Sequence, residues 1–173
     1  DPLDSDDKTV ETLIDQNLMT ALKLSQAVAK RMIQQAKQEN ADEPPQSIGA
    51  IVNLTSIAAT RTRPSLMGFS IVSAALEQMT RSMAVALAPH RIRVNAVGFG
   101  SVMSTSLREA CAADPGLRDE VIHGTPLGRI AEASEVAEAV HFLAADASRF
   151  MTGQVVMVDG GRTVIDVVDT DRH

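Results

Sequence analysis

The 173-residue chain contains no tyrosine and no tryptophan, and it has a single cysteine. No lysine follows Lys37. Each absence excludes something. Without tyrosine, no phenol can exchange a proton anywhere in the chain. With Cys111 alone there is no internal disulfide framework, which fits a reducing compartment. A formal net charge of −6 argues against nucleic acid or an anionic membrane surface as partner. No apolar run approaches the ~18 residues of a membrane span, and the acidic start "DPLDSDDKTV" does not read as a signal peptide. A soluble, cytoplasmic protein is expected, long enough for one domain with a substantial core.

What is present is alternation. "TVETLIDQNLMTALKLSQAVAKRMIQQAKQ" (9–38) has helical spacing of Val10, Leu13, Ile14, Leu18, Ala21, Leu22, Val28, Ala29 and Met32, with Thr9 and Thr12 as candidate caps. "ENADEPPQS" (39–47) ends that helix as a polar loop. "IGAIVNLTS" (48–56) is a short apolar run without polar alternation, the signature of a parallel strand covered on both faces. A helical pattern returns from Leu66 to Leu87, followed by a second strand in "HRIRVNAVG" (90–98). Short helices are expected at 101–113 and 116–122, around Asp114-Pro115-Gly116. "ASEVAEAVHFLAAD" (133–146) predicts an amphipathic helix with Ser134 as N-cap, and "GQVVMVDGG" (153–161) a third strand. This order implies an α/β fold with parallel strands joined by crossovers. The tail from residue 162 reads either as a strand extension or as a subunit contact.

In an open α/β sheet, ligands bind beyond the carboxyl ends of the strands. Thr55-Ser56, Gly98 to Ser104 and Asp159 to Gly161 occupy such positions. "GFGSVM" (98–103) has two glycines of a G-x-G-x-x-G dinucleotide turn but lacks the third, and Asp119 falls in a helical stretch instead of at a strand end. That turn is not expected to bind a pyrophosphate.

The segments "IDQNLMTALKLSQAV", "GAIVNLTSIA", "SAALEQMTRSMAVALAPHRIRVNAV", "TPLGRIAEASEVAEAVHFLAADAS" and "TGQVVMVDGG" run through nearly the whole chain. In order and spacing the chain resembles the C-terminal two-thirds of a short-chain dehydrogenase/reductase, close to the acyl-carrier-protein reductase type. The resemblance implies a Rossmann-like doubly wound parallel sheet and NAD or NADP as cofactor. It also implies a catalytic set of Asn, Ser, Tyr and Lys. In that set, tyrosine exchanges a proton with the substrate oxygen and lysine lowers its pKa while holding the nicotinamide ribose. Serine binds the substrate oxygen, and asparagine organises a water relay.

By this resemblance, Asn17 stands at the asparagine position and Ser56 at the serine position. The Tyr-x-x-x-Lys pair falls on Phe69 and Ser73. No shift of register restores either group, because no tyrosine exists and no lysine follows Lys37. Phenylalanine has no ionisable proton, and loss of a positioned acid–base group typically costs ~10²- to 10⁴-fold in rate. Serine at 73 brings no charge to favour a phenolate. Where the family has Pro-Gly against the nicotinamide, this chain has Phe99-Gly100, with Val102 and Ser104 at the positions that contact the carboxamide. An oxidoreductase with impaired catalysis is expected, or else a non-catalytic relative that binds a ligand or assembles into oligomers.

The family's Gly-rich turn and first strands have no counterpart in this sequence. Their lack would leave strand 49–55 as an open apolar edge, so residues 1–173 are expected to be one partial Rossmann domain of a longer chain. A homodimer or homotetramer through helices 9–38 and 66–88 is implied, with Ala74, Ala75, Ala84 and Ala86 allowing close approach. His90, His123 and His141 lack metal-ligand spacing, and Cys111 reads as a structural thiol. Asp4, Asp6 and Asp7 read as a solvated leader (1–8).

Overall fold

A computed structural model describes residues 7–38 and 47–166. Most of the acidic leader, the proline loop 39–46 and the tail beyond residue 166 lie outside the described residues. Helix α1 (Asp7–Leu13) runs into a π-helical turn (Ile14–Met19) and then into α2 (Thr20–Gln38). Strand β1 is Gly49–Ser56, α3 is Met67–Leu87 and β2 is Ile92–Phe99. Helices α4 (Thr105–Ala113), α5 (Pro115–His123) and α6 (Ala133–Ala144) precede β3 (Val155–Val158). The three strands are parallel in the order β1-β2-β3.

Alternation along the strands sends neighbouring side chains to opposite faces. Ile92 and Val94 pack with Ala29 of α2 and Ala84 of α3 on one face. Val97 packs with Val136 and Leu143 of α6 on the other. Both faces are therefore covered, as the lack of polar alternation in β1 predicts, and the architecture is the expected doubly wound α/β sheet. β1 is an outer strand, and its Leu54 remains 54% exposed.

Two polar residues interrupt the apolar run of β2, and each has a fixed task. The buried guanidinium of Arg93 donates to the carbonyls of Leu143, Ala144, Ala145 and Met151 and to Ser148 Oγ, at 2.8–3.4 Å. It thereby satisfies the orphan carbonyls where α6 ends. Buried Asn95 donates to the Met151 carbonyl at 2.8 Å and accepts from the Gln154 amide at 3.0 Å. Together they dock the segment that feeds β3.

The structure corrects several local expectations. The helix over 9–38 is interrupted: the Thr20 amide reaches back five residues to the Asp15 carbonyl, and its hydroxyl donates there too at 3.0 Å. Thr9 and Thr12 lie inside α1, where Thr12 Oγ1 donates to the Lys8 carbonyl, so neither caps the helix. The N-cap of α6 is Glu132, not Ser134, in a capping box with Glu135. Arg129 reinforces that box through two bonds to Glu135 at 2.7 and 2.6 Å, and the hydrogen bonds from Arg129 and the Glu132 amide lower the Glu135 carboxyl to about 2. Ala84 is buried in the core, so it cannot face a partner subunit; Ala74 and Ala86 remain exposed.

Candidate active site

Helical and strand geometry bring four distant segments to one cleft of about 360 Å³. Its walls include Asn17 from the π-helical turn, Ser56 from the end of β1, Phe69 and Ser73 from α3, and Phe99 from the end of β2. The π turn inserts one extra residue per turn, which re-aims the side chains of 14–19 relative to a regular helix. Asn17 is exposed there. The start of α3 lies directly on α1: a Cβ on Gly68 would meet Leu13 Cδ1 and Val10 Cγ2 at 3.3 Å. Glycine at 68 thus allows the approach that places Phe69 near Asn17.

The depth of α3 against β1 is set by polar pairs that sequence reading passed over. Buried Asn53 donates to Thr80 Oγ1 at 2.9 Å, and Thr80 donates on to the Leu76 carbonyl at 2.9 Å. Thr55 Oγ1 donates to the Ser73 carbonyl at 3.1 Å. The available signal was the presence of Asn53 and Thr55 inside an otherwise apolar strand, since buried polar groups must find partners.

Each candidate residue has a definite environment. Ser56 Oγ accepts from the Ala58 amide at 3.1 Å, capping a 3-10 turn, and keeps its own proton for an acceptor in the cleft. Ser73 is only 4% exposed, and its hydroxyl donates to the Phe69 carbonyl at 2.8 Å. Phe69 is 36% exposed and presents an apolar ring. Among the described residues, the cleft lining includes no ionisable side chain. The described residues therefore do not match what a nicotinamide ribose needs from this helix. Among the described residues no cation lines the cleft, and the hydroxyl at 73 is spent on its own helix.

Gly100, Val102 and Ser104 are not brought into the cleft. Gly100 packs against the turn after β3, where a Cβ would lie 3.2 Å from Asp159 Cα. Val102 bridges Ala131, and Ser104 caps α4 by accepting from the Leu107 amide at 3.1 Å. Phe99 does line the cleft, and it also packs into the core beneath α6.

The three strands end in register at Ser56, Phe99 and Val158, so the loops that leave them share one edge. Two arginines tie those loops together. Arg61 donates through Nε to the Arg162 carbonyl at 2.8 Å, and through Nη2 to the same carbonyl and to that of Ile165. Arg162 Nη1 donates to Ser101 Oγ at 2.5 Å. The turn carrying Arg162 uses Gly160 and Gly161 at φ +64° and +91°, values that suit glycine. Asp159 closes it by accepting from the Gly161 and Thr163 amides at 2.9 and 2.8 Å. Burial pushes the Asp159 carboxyl up, but these hydrogen bonds outweigh it and hold the group below its ordinary value.

Comparison with known proteins accords with this arrangement. The family model described as enoyl-(acyl carrier protein) reductase matches residues 1–163. The chain is 35% identical over 154 residues to D-erythrulose reductase of Gallus gallus, covering 89% of this chain and 58% of that protein. It is 36% identical over 145 residues to L-xylulose reductase of Bos taurus, covering 84% of this chain and 55% of that protein. A gluconate 5-dehydrogenase from Burkholderia cenocepacia, solved in complex with NADP and tartrate, superposes with a TM-score of 0.82 at 28% identity. That match covers 94% of this chain and 59% of the other. The chain thus spans a little over half the length of the curated relatives it matches.

Proposed function

Because the chain belongs to the short-chain dehydrogenase/reductase family, we propose that it derives from an NAD(P)-dependent carbonyl or alcohol oxidoreductase whose proton-transfer step is disabled. The observation carrying this reading is a cleft that joins Asn17 and Ser56 yet has no ionisable group among its described walls. Ser56 can still donate a hydrogen bond to a substrate oxygen, and Asn17 can order water at the mouth of the cleft. Neither supplies a proton at neutral pH as a phenol beside a cation does. Polarising a carbonyl without protonating it leaves alkoxide charge uncompensated, so turnover is expected to fall ~10²- to 10⁴-fold below an intact site. A bound nicotinamide would supply hydride, and Phe99 is the cleft residue that the family resemblance puts at a nicotinamide-contacting position.

The experiment is titration of the purified protein with NADH and NADPH, followed by an assay of ketone reduction. Cofactor binding with negligible reduction supports the proposal. Rapid reduction that survives Phe69→Ala overturns it.

A second reading, an oligomer-forming subunit without catalysis, has its own support. α2 and α3 expose Leu24, Ile71 and Val85 at 63, 50 and 77%. Apolar side chains of this size on neighbouring helices suit a homodimer or homotetramer built on those two helices.

A further inference from the structure

Two arginines, Arg61 and Arg162, meet where the strand-end loops come together, and a third, Arg63, stands two residues beyond Arg61 on the same loop. Arg61 and Arg63 follow β1, and Arg162 follows β3. Arg61 is spent on the backbone, since its guanidinium holds the carbonyls of Arg162 and Ile165. Arg162 gives one nitrogen to Ser101 and keeps its remaining N–H donors. Arg63 is exposed, and neither recorded ion pair among the described residues involves any of the three.

Among the described residues the local charge is positive. The acidic group acting on Arg162 there is Asp159, and both its oxygens already accept backbone amides. Burial, with the charges of Arg63 and Arg61, pushes the Arg162 guanidinium below its ordinary value, which Asp159 only partly offsets. Like charges drawn together in this way store repulsion that a bound anion relieves. Guanidinium groups also present paired donors matched to a carboxylate or phosphate.

Position gives the cluster a role. Arg61 lies five residues beyond Ser56 on the loop leaving the same strand, and the carboxyl edge of a parallel sheet is where such folds bind ligands. We infer that Arg162 and Arg63, buttressed by Arg61 and Ser101, form a subsite for an anionic head group of the substrate, a carboxylate or a phosphate. The substrate oxygen would be left facing Ser56. This inference rests on the proposed oxidoreductase ancestry for the identity of the ligand as substrate, but the anion site stands or falls by binding alone.

The test is calorimetric binding at low ionic strength, with the full chain. The probes are L-malate, its neutral counterpart 1,2,4-butanetriol, and inorganic phosphate. Malate is expected to bind at least ~10-fold more tightly than the triol. Arg162→Gln and Arg63→Gln should each weaken malate ~5- to 10-fold, while Arg108→Gln on α4 leaves it unchanged. Binding of phosphate but not malate, with the same arginine dependence, assigns the site to phosphorylated substrates. Equal binding of malate and triol, no binding of either anion, or affinities indifferent to Arg63 and Arg162 would each overturn the inference. Arg63 is exposed and makes no ion pair among the described residues, so its variant remains informative if Arg162→Gln fails to fold. Loss of nicotinamide binding with malate binding intact would sink only the oxidoreductase reading.

Discussion

The hydroxyl of Ser73 donates to the backbone carbonyl of Phe69 at 2.8 Å, one turn back on α3. The side chain at the position that would carry the cation is thus spent on a local helix bond to the position that would carry the acid. Restoring both groups should restore chemistry. In a chain that also carries the family's nucleotide-binding turn, Phe69→Tyr with Ser73→Lys is expected to raise ketone reduction by ~10²-fold or more over the same chain without them, with each single change giving much less. Steady-state rates with NADPH measure it. A double variant no faster than the parent would place the defect elsewhere in the site.

Ser73→Ala tests the same bond from the other side. The Phe69 carbonyl also lies within the helix ladder, so losing the hydroxyl should cost under about 1 kcal/mol. Nicotinamide affinity, measured by fluorescence titration, should not change. A marked loss of affinity would mean that Ser73 leaves its helix to hold the cofactor.

Arg93 is the polar residue whose removal should matter most for folding. Arg93→Met leaves several buried carbonyls at the end of α6 without this donor, and a hydrogen bond to a charged group contributes about 1.5–3 kcal/mol net. A loss of about 2–4 kcal/mol in urea unfolding is expected. Hydrogen exchange should quicken first in the segment from Leu143 to Gln154.

Glu135 gives a pH dependence with a definite sign. Its carboxyl falls from 4.5 to about 2 because Arg129 and the Glu132 amide bond its charged form. A group whose pKa is lower in the folded state stabilises above its unfolded value and loses that contribution as pH falls through the folded value. The melting temperature of the parent should therefore exceed that of Glu135→Gln at pH 5–7, and the gap should close between about pH 4.5 and 2. The group is exposed, so the gap is small and should shrink in high salt.

Oligomer formation can be tested at the exposed stripe of α3. Val85→Glu and Ile71→Glu place charge where a partner helix would pack. Light scattering should report a smaller species for either variant if α3 forms the interface. An unchanged mass would assign assembly, if any, to another surface.

Much of this molecule was legible locally. The strands at 49–56, 92–99 and 155–158, and the helices between them, follow from apolar runs, periodicity and turn residues that lie within a few positions of each other. Where local signals compete, contacts outside the segment decide between them. Glu132 rather than Ser134 caps α6 because its carboxylate and that of Glu135 bond reciprocally to backbone amides. The π turn at 14–19 has no periodic signature that distinguishes it from ordinary helix. Ala84 reads as a small surface residue until the tilt of α3 turns it towards Ile92 and Val94.

The amino-acid sequence already rules out a tyrosine or a lysine on α3, because composition admits no tyrosine anywhere and no lysine after residue 37. It also determined the α/β order, since hydrophobic periodicity is a property of neighbours along the chain. Tertiary packing, by contrast, puts Asn17, Ser56, Phe69 and Ser73 in one cleft and leaves Val102 and Ser104 outside its lining. It alone decided that Arg61 and Arg162, a hundred residues apart, join the loops at the sheet's edge. Those contacts depend on strand register and helix depth, fixed by Asn53, Thr55, Thr80 and Arg93 through hydrogen bonds between distant segments, and no local pattern encodes them.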